Sequence, residues 1–293
     1  MNSRIVMKAM IGFYVFLFFA YLFGPLLVMS VTAFNTPNYP QAVPFEGFTL
    51  DWFVKLYNDQ DMMLGLRNSF VIGFGVVALS VPVGLAAAII MSQIYHRARG
   101  VFYLVTVSPV LTPGVIIGIS TVIFWKDVLS VTDVTKAMFY KGIILSIFGQ
   151  SSFIAAYCLL IIMARLQRFD RAQEEAALDL GASYPQVFWH ILLPFLKPAM
   201  VSAAVIAFLS SFENYNTTTF AILADKTLVT VLAGQVRQGT TPALSALAVI
   251  IIGVSLAGAI IYEILKRREE GAAARASERA RIAERSEVVP APV

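Results

Sequence analysis

Six runs of predominantly apolar residues, at 9–33, 67–91, 101–124, 143–164, 199–223 and 244–265, constrain this chain more than any other feature. Runs of roughly 20 residues rising about 1.5 Å per residue are long enough to cross a hydrocarbon layer of roughly 30 Å. The predicted fold class is therefore all-α, a polytopic membrane protein with six transmembrane helices. Composition agrees, since 58% of residues are apolar and 14% charged, against roughly 25% charged in soluble domains. The formal charge of +4 belongs to Lys and Arg at the ends of the runs and in the tail, so it reports topology before it suggests any anionic partner.

With the N-terminus placed in the cytoplasm, Arg4, Lys8, Arg97, Arg99, Arg165, Arg168, Arg171, Lys197 and the basic tail lie inside. Lys55, Arg67, Lys126, Lys136, Lys141, Lys226 and Arg237 lie outside. That bias follows the positive-inside rule and puts both termini in the cytoplasm. Val31, Thr32 and Ala33 resemble a signal-cleavage site, but a run from Ala9 to Val31 exceeds the ~7–15 residues of a signal core, and a retained first span is expected. The chain divides into a transmembrane domain at 1–268 and a cytoplasmic tail at 269–293, rich in Ala, Arg and Glu, that reads as a solvated helix or disordered chain.

Between the first two runs, Pro37, Pro40 and Pro44 predict irregular external chain. Phe48, Trp52, Phe53 and Leu56 then fall at helical spacing, as expected of an amphipathic anchor at the membrane interface. Gly73, Gly75, Gly84 to Ala88, Gly114, Gly118 and Ser255 to Ala259 allow close helix approach. Pro25, Pro82, Pro109 and Pro113 predict kinks. The single cysteine, Cys158, reads as a packing residue.

The cytoplasmic loop at 165–198 carries the strongest local pattern. Asp170 is a candidate N-cap, Ala172 to Leu180 are helix formers, and Gly181 suits the left-handed position that ends a helix. Ser183 with Gln186 forms a capping-box pattern, Pro185 fits the first turn of a second helix, and Pro194 and Pro198 are expected to close the element. This helix, glycine and helix surface suits either a docking protein or the lipid headgroups, and the residues alone do not separate the two.

A resemblance does. Glu175, Ala176 and Ala177, then Gly181 after three residues, Ile191 after nine more and Pro194 after two, reproduce the spacing of the cytoplasmic loop of bacterial ABC importer permeases. Asn68 and Ser69 opening the second run, and Ser108 and Pro109 in the third, resemble the spermidine/putrescine group within that family. Permeases for 2-aminoethylphosphonate, opine-like compounds and ferric iron are related. The resemblance implies the type I importer permease fold and an ATPase-coupling role for Glu175, Ala176, Ala177, Gly181, Ile191 and Pro194. It also implies the partners: a second, different permease chain, an ATPase dimer and an external or periplasmic binding protein, all at a bacterial inner membrane.

No phosphate-binding Gly-Lys loop occurs, so no cofactor is expected on this chain, and ATP and Mg belong to the partner ATPase. His96 and His190 lack metal-site spacing, no metal or catalytic site is expected, and an intramembrane enzyme finds no nucleophile with a base. Glu213, read as lying within the fifth run, is a costly charge at membrane depth and the foremost candidate for the substrate path, with Ser210, Asn214 and Tyr215 beside it. A carboxylate there favours a cationic amino substrate such as a polyamine. An ion-gradient transporter is the alternative of another class, with Glu213 as proton carrier, but it calls for more spans or inverted repeats.

Overall fold

A chain in hydrocarbon has no water to bond its amides, so each segment must close its own hydrogen bonds. The computed structural model describes residues 2–129, 140–258, 260, 261, 263 and 264, and its regular structure is helical apart from one isolated bridge between Asn35 and Phe48. Lys136 and the tail at 269–293 lie outside the described residues. The helices are α1 (Asn2–Thr32), α2 (Asp51–Asn58), α3 (Gln60–Gln93), α4 (His96–Leu111), α5 (Gly114–Leu129) and α6 (Gly142–Leu166). After these come α7 (Ala172–Asp179), α8 (Tyr184–Phe212), α9 (Thr218–Ala221), α10 (Leu228–Gln238) and α11 (Pro242–Gly258).

The six expected spans correspond to α1, α3, the α4 and α5 pair, α6, α8 and α11, with two corrections. The third is not one helix: α4 and α5 meet at a bend of 102°. Pro113 supplies no amide proton there, and Thr112 is extended with φ −83° and ψ 132°, the backbone that a following proline imposes. The fifth begins at Tyr184, not 199, and ends at Phe212, not 223. Pro194 and Pro198 therefore do not close the cytoplasmic element; the helix runs through both. A π turn at Phe188–Leu192 accommodates Pro194, with the Leu193 amide donating to the Phe188 carbonyl five residues back.

The chain forms two compact units. The described residues of 1–56 and of the stretch from 240 onward make one. In it, buried Asn35 accepts from the Thr36 and Glu46 amides through Oδ1 and donates to the Gln41 and Pro44 carbonyls through Nδ2. This orders the proline-rich segment. Trp52 donates to the Asn35 carbonyl at 2.7 Å and is 5% exposed, so the expected interfacial anchor is instead turned inward. The Thr32 hydroxyl donates to Ser245 at 2.8 Å, tying α1 to α11.

Residues 57–239 make the other unit, whose core is α3, α6 and α8. Helices α3 and α6 run parallel, with Gly75 against Ile147 and Gly84 against Cys158. A methyl group on Gly84 would lie 2.5 Å from Cys158 Cβ and 2.8 Å from the Leu159 amide nitrogen, so backbones touch where no hydrophobic effect draws helices together. Cys158 is fully buried in this seam, as its reading as a packing residue required. At the other end of α3, Asn68 donates to the Lys226 carbonyl at 2.8 Å and Ser69 accepts from the Leu228 amide at 3.0 Å, so this pair pins the segment entering α10.

Gly84→Val should cost on the order of 3 kcal/mol, because the collision is with backbone and cannot be relieved by a rotamer change. Gly100→Ala, with nothing within 4 Å of the added methyl, should be neutral or gain up to about 1 kcal/mol. Thermal denaturation of the detergent-purified protein, followed by size-exclusion chromatography, separates the two.

Candidate functional site

The predicted helix, glycine and helix element forms as expected. Asp170 Oδ1 accepts from the Ala172 amide at 3.0 Å at the start of α7. At its end the Gly181 amide donates to the Leu178 carbonyl at 2.9 Å and the Ala182 amide to the Ala177 carbonyl at 3.0 Å. That bond pair is the Schellman arrangement, and Gly181 at φ +88° is its left-handed residue. The Ser183 amide then donates to Gln186 Oε1 at 2.8 Å, capping α8.

Buried surface is nearly absent from this element. No residue of α7 is buried, and Leu180 is 89% exposed, Tyr184 78% and Trp189 63%. Glu175, Ala176 and Pro194 are exposed, while Ala177 and Ile191 are half-buried. Helix α8 is anchored from behind by Arg165, whose guanidinium lies 4.4 Å from the Phe195 ring centre and donates to the Phe195 carbonyl. The result is a surface of small residues with exposed Leu180, Tyr184 and Trp189, interspersed with the carboxylates of Glu175 and Asp179, on a fixed base.

At the far end of α8 the structure changes the expected role of the second cluster. Glu213 is the residue that ends the helix, exposed, not one buried within a span. The helix stops because the Asn214 side chain competes for the backbone, its Oδ1 accepting from the Thr217 and Thr218 amides at 3.1 and 3.3 Å. Asn214 is thus spent on the turn. Ser210 is half-buried, and the Tyr215 hydroxyl accepts from Arg237 Nη2 at 2.9 Å. Of the four predicted path residues, Glu213 is the exposed one.

The group that holds this turn is one the sequence reading missed. Gln150 of α6, 1% exposed, accepts from the Ser211 hydroxyl and donates to Thr218 Oγ1 at 2.7 Å, which in turn donates to Asn214 at 3.3 Å. An amide inside the apolar run from Ile143 to Ile162 was the available signal. Gly114 and Gly118 of α5 press on the same turn, since a methyl on Gly118 would lie 2.5 Å from the Thr217 carbonyl oxygen. The two clusters are joined by α8, whose 29 residues span roughly 40 Å at about 1.5 Å per residue.

Residues 80–271 match the family described as binding-protein-dependent transport system inner membrane component. Among curated proteins the chain is 27% identical to the putrescine transport system permease protein PotI of Escherichia coli K12, over 86% of this chain and 89% of that one. It is also 27% identical to the spermidine/putrescine transport system permease protein PotC of Haemophilus influenzae, over 87% and 95%. Among solved structures it resembles a chain of a bacterial ABC transporter that imports alginate, with TM-score 0.65, 17% identity and coverage of 88% and 93%. It also resembles a chain of an amino acid ABC transporter solved with histidines, with TM-score 0.52, 16% identity and coverage of 75% and 100%.

Gln150→Leu should leave the Ser211 and Thr218 hydroxyls without their partner and lower stability by about 1–2 kcal/mol. The check is the midpoint of thermal unfolding in detergent, with Gln167→Leu, outside this hydrogen-bonded chain, as control.

Proposed function

The chain belongs to the family of binding-protein-dependent transport system inner membrane components, and from that premise we propose that it is one half of the transmembrane path of an ATP-driven importer of polyamines or related amino compounds. The observation that carries the substrate reading is Glu213, an exposed carboxylate at the end of α8 with no ion pair among the described residues. A carboxylate favours cationic over anionic cargo by simple charge attraction, and the relatives named for putrescine and spermidine transport point the same way. Tyr215 beside it offers an aromatic face.

Coupling is assigned to the loop at 175–194. Glu175, Ala176, Ala177 and Gly181 form the surface that a groove on an ATPase subunit would receive, and Ile191 and Pro194 shape the start of α8 behind it. Because α8 runs from Tyr184 to Phe212, displacement of the loop reaches Glu213 along one helix, through the π turn at Phe188–Leu192. ATP and Mg act on the ATPase partner, while this chain supplies the polar path. A second, different permease chain completes the pathway, and an external binding protein delivers the cargo. The N-terminus and the tail at 269–293 face the cytoplasm.

Two outcomes test this reading. In proteoliposomes holding both permeases, the ATPase pair and the binding protein, putrescine or spermidine should stimulate ATP hydrolysis, and Glu213→Gln should reduce import about tenfold, the effect of losing ~1.4 kcal/mol of charge interaction; unchanged import removes Glu213 from the path. Ala176→Trp places bulk on the exposed face of α7 and should abolish co-purification of the ATPase, while the permease itself stays monodisperse. Retention of the ATPase by that variant would remove the loop from the interface.

A further inference from the structure

A groove lies between α3, α5 and α6 in the unit at 57–239, and no role has been assigned to it above. Among the described residues its polar lining is made of hydroxyls and the Trp125 indole N–H, and no charged side chain lines it. Thr121 donates to the Ile117 carbonyl and Ser152 to the Gly149 carbonyl, both at 2.7 Å. Ser151 is 5% exposed and its Oγ has no hydrogen-bond partner among the described residues. A hydroxyl that has spent its proton on its own helix still presents lone pairs. What this wall offers is therefore mostly acceptors, and it suits a ligand that only donates.

One end of the groove is aromatic. Trp125 stacks on Phe148 with ring centres 4.5 Å apart, and Phe124 meets Trp125 edge-on at 5.3 Å. Leu79, Val83 and Ile116 supply the apolar sides. Thr112, at the 102° break between α4 and α5, lies on its border. Irregular backbone at membrane depth is tolerated only where protein buries it or water reaches it, and the Thr112 hydroxyl answers part of that need by donating to the Ser108 carbonyl at 3.2 Å. Behind the floor, Gly149 packs tightly against α5 and the turn after α8, since a methyl there would lie 3.1 Å from Thr121 Oγ1 and 3.2 Å from Thr217 Cγ2.

We propose that this groove is a transit subsite for an aliphatic ammonium ion, its methylenes against the apolar sides and its charged head over the Phe124, Trp125 and Phe148 wall and the hydroxyls of Thr121 and Ser152. The assignment rests on the reading of the chain as an importer of amino compounds. An ammonium donates and does not accept, which matches the acceptors left over, and cation–π attraction holds it without a carboxylate. The absence of fixed charge along the groove suits passage, because a site that binds too tightly cannot release.

The test uses the assembled importer in proteoliposomes on a Cys158→Ala background. Ser152→Cys should react with a membrane-impermeant thiol reagent and be protected by putrescine during turnover, whereas Ile119→Cys, which does not line the groove, should stay slow and unprotected. Trp125→Leu should raise the putrescine concentration for half-maximal import about five- to tenfold, and Trp125→Phe should restore most of the affinity. An unreactive Ser152→Cys, reaction without protection, or an unshifted Trp125→Leu overturns the subsite. If no amine stimulates ATP hydrolysis by the unaltered importer, the functional reading itself falls; if amines do and the variants are silent, only the subsite falls.

Discussion

Backbone hydrogen bonding without water governs this structure. Along α1, α3, α6 and α8 the helix satisfies each amide from within, and side chains are free to be apolar. The cost appears only where a helix stops at depth. It stops at 112–113, where proline removes a donor, and at 213–217, where the Asn214 side chain replaces helical carbonyls as acceptor for two amides. Each stop has drawn polar groups around it, Gln150 and Thr218 at one and Thr112 with the groove hydroxyls at the other. Both stops therefore gather polar groups inside otherwise apolar surroundings, and the proposed path is built on them.

The same constraint explains why glycine is placed as it is. With lipid as apolar as leucine, α3 and α6 gain little from burying methyl groups and much from close backbone contact. Gly84 provides this against Cys158 and Leu159, and Gly118 provides it against the turn at Thr217. The second contact differs in consequence. It presses α5 on the turn that follows α8, so the wall bearing Trp125 and the end bearing Glu213 share one packed joint, and a shift of either is felt by the other.

Much of this was legible in the sequence, for physical reasons that can be named. Apolar length located the spans, and Gly181 with Ser183 and Gln186 specified the break in the cytoplasmic loop because left-handed backbone and amide capping are local. Misreadings arose where distant groups decide. Pro194 and Pro198 read as terminators, yet a widened π turn carries the helix through the first. Glu213 read as buried because the apolar run continues past it, whereas Asn214 ends the helix one residue later. Trp52 read as an interfacial anchor until Asn35, seventeen residues away along the chain, offered its carbonyl. Gln150 escaped notice because its partners, Ser211 and Thr218, come from elements far along the chain.

Charge and polarity divide the work along the path. In the proposed path an exposed carboxylate such as Glu213 would attract a cation from solvent through its full charge. Hydroxyl lone pairs and aromatic faces attract the same ion less strongly, with donors already committed to backbone carbonyls at Ile117 and Gly149. In the proposed path affinity falls from fixed charge to neutral acceptors as the solute advances, which eases release and leaves the ATP-driven switch of access to prevent return. The geometry of α8 fits that sequence of events, since the helix that ends at Glu213 begins at the loop assigned to the ATPase, and movement of the loop acts first on the charged end.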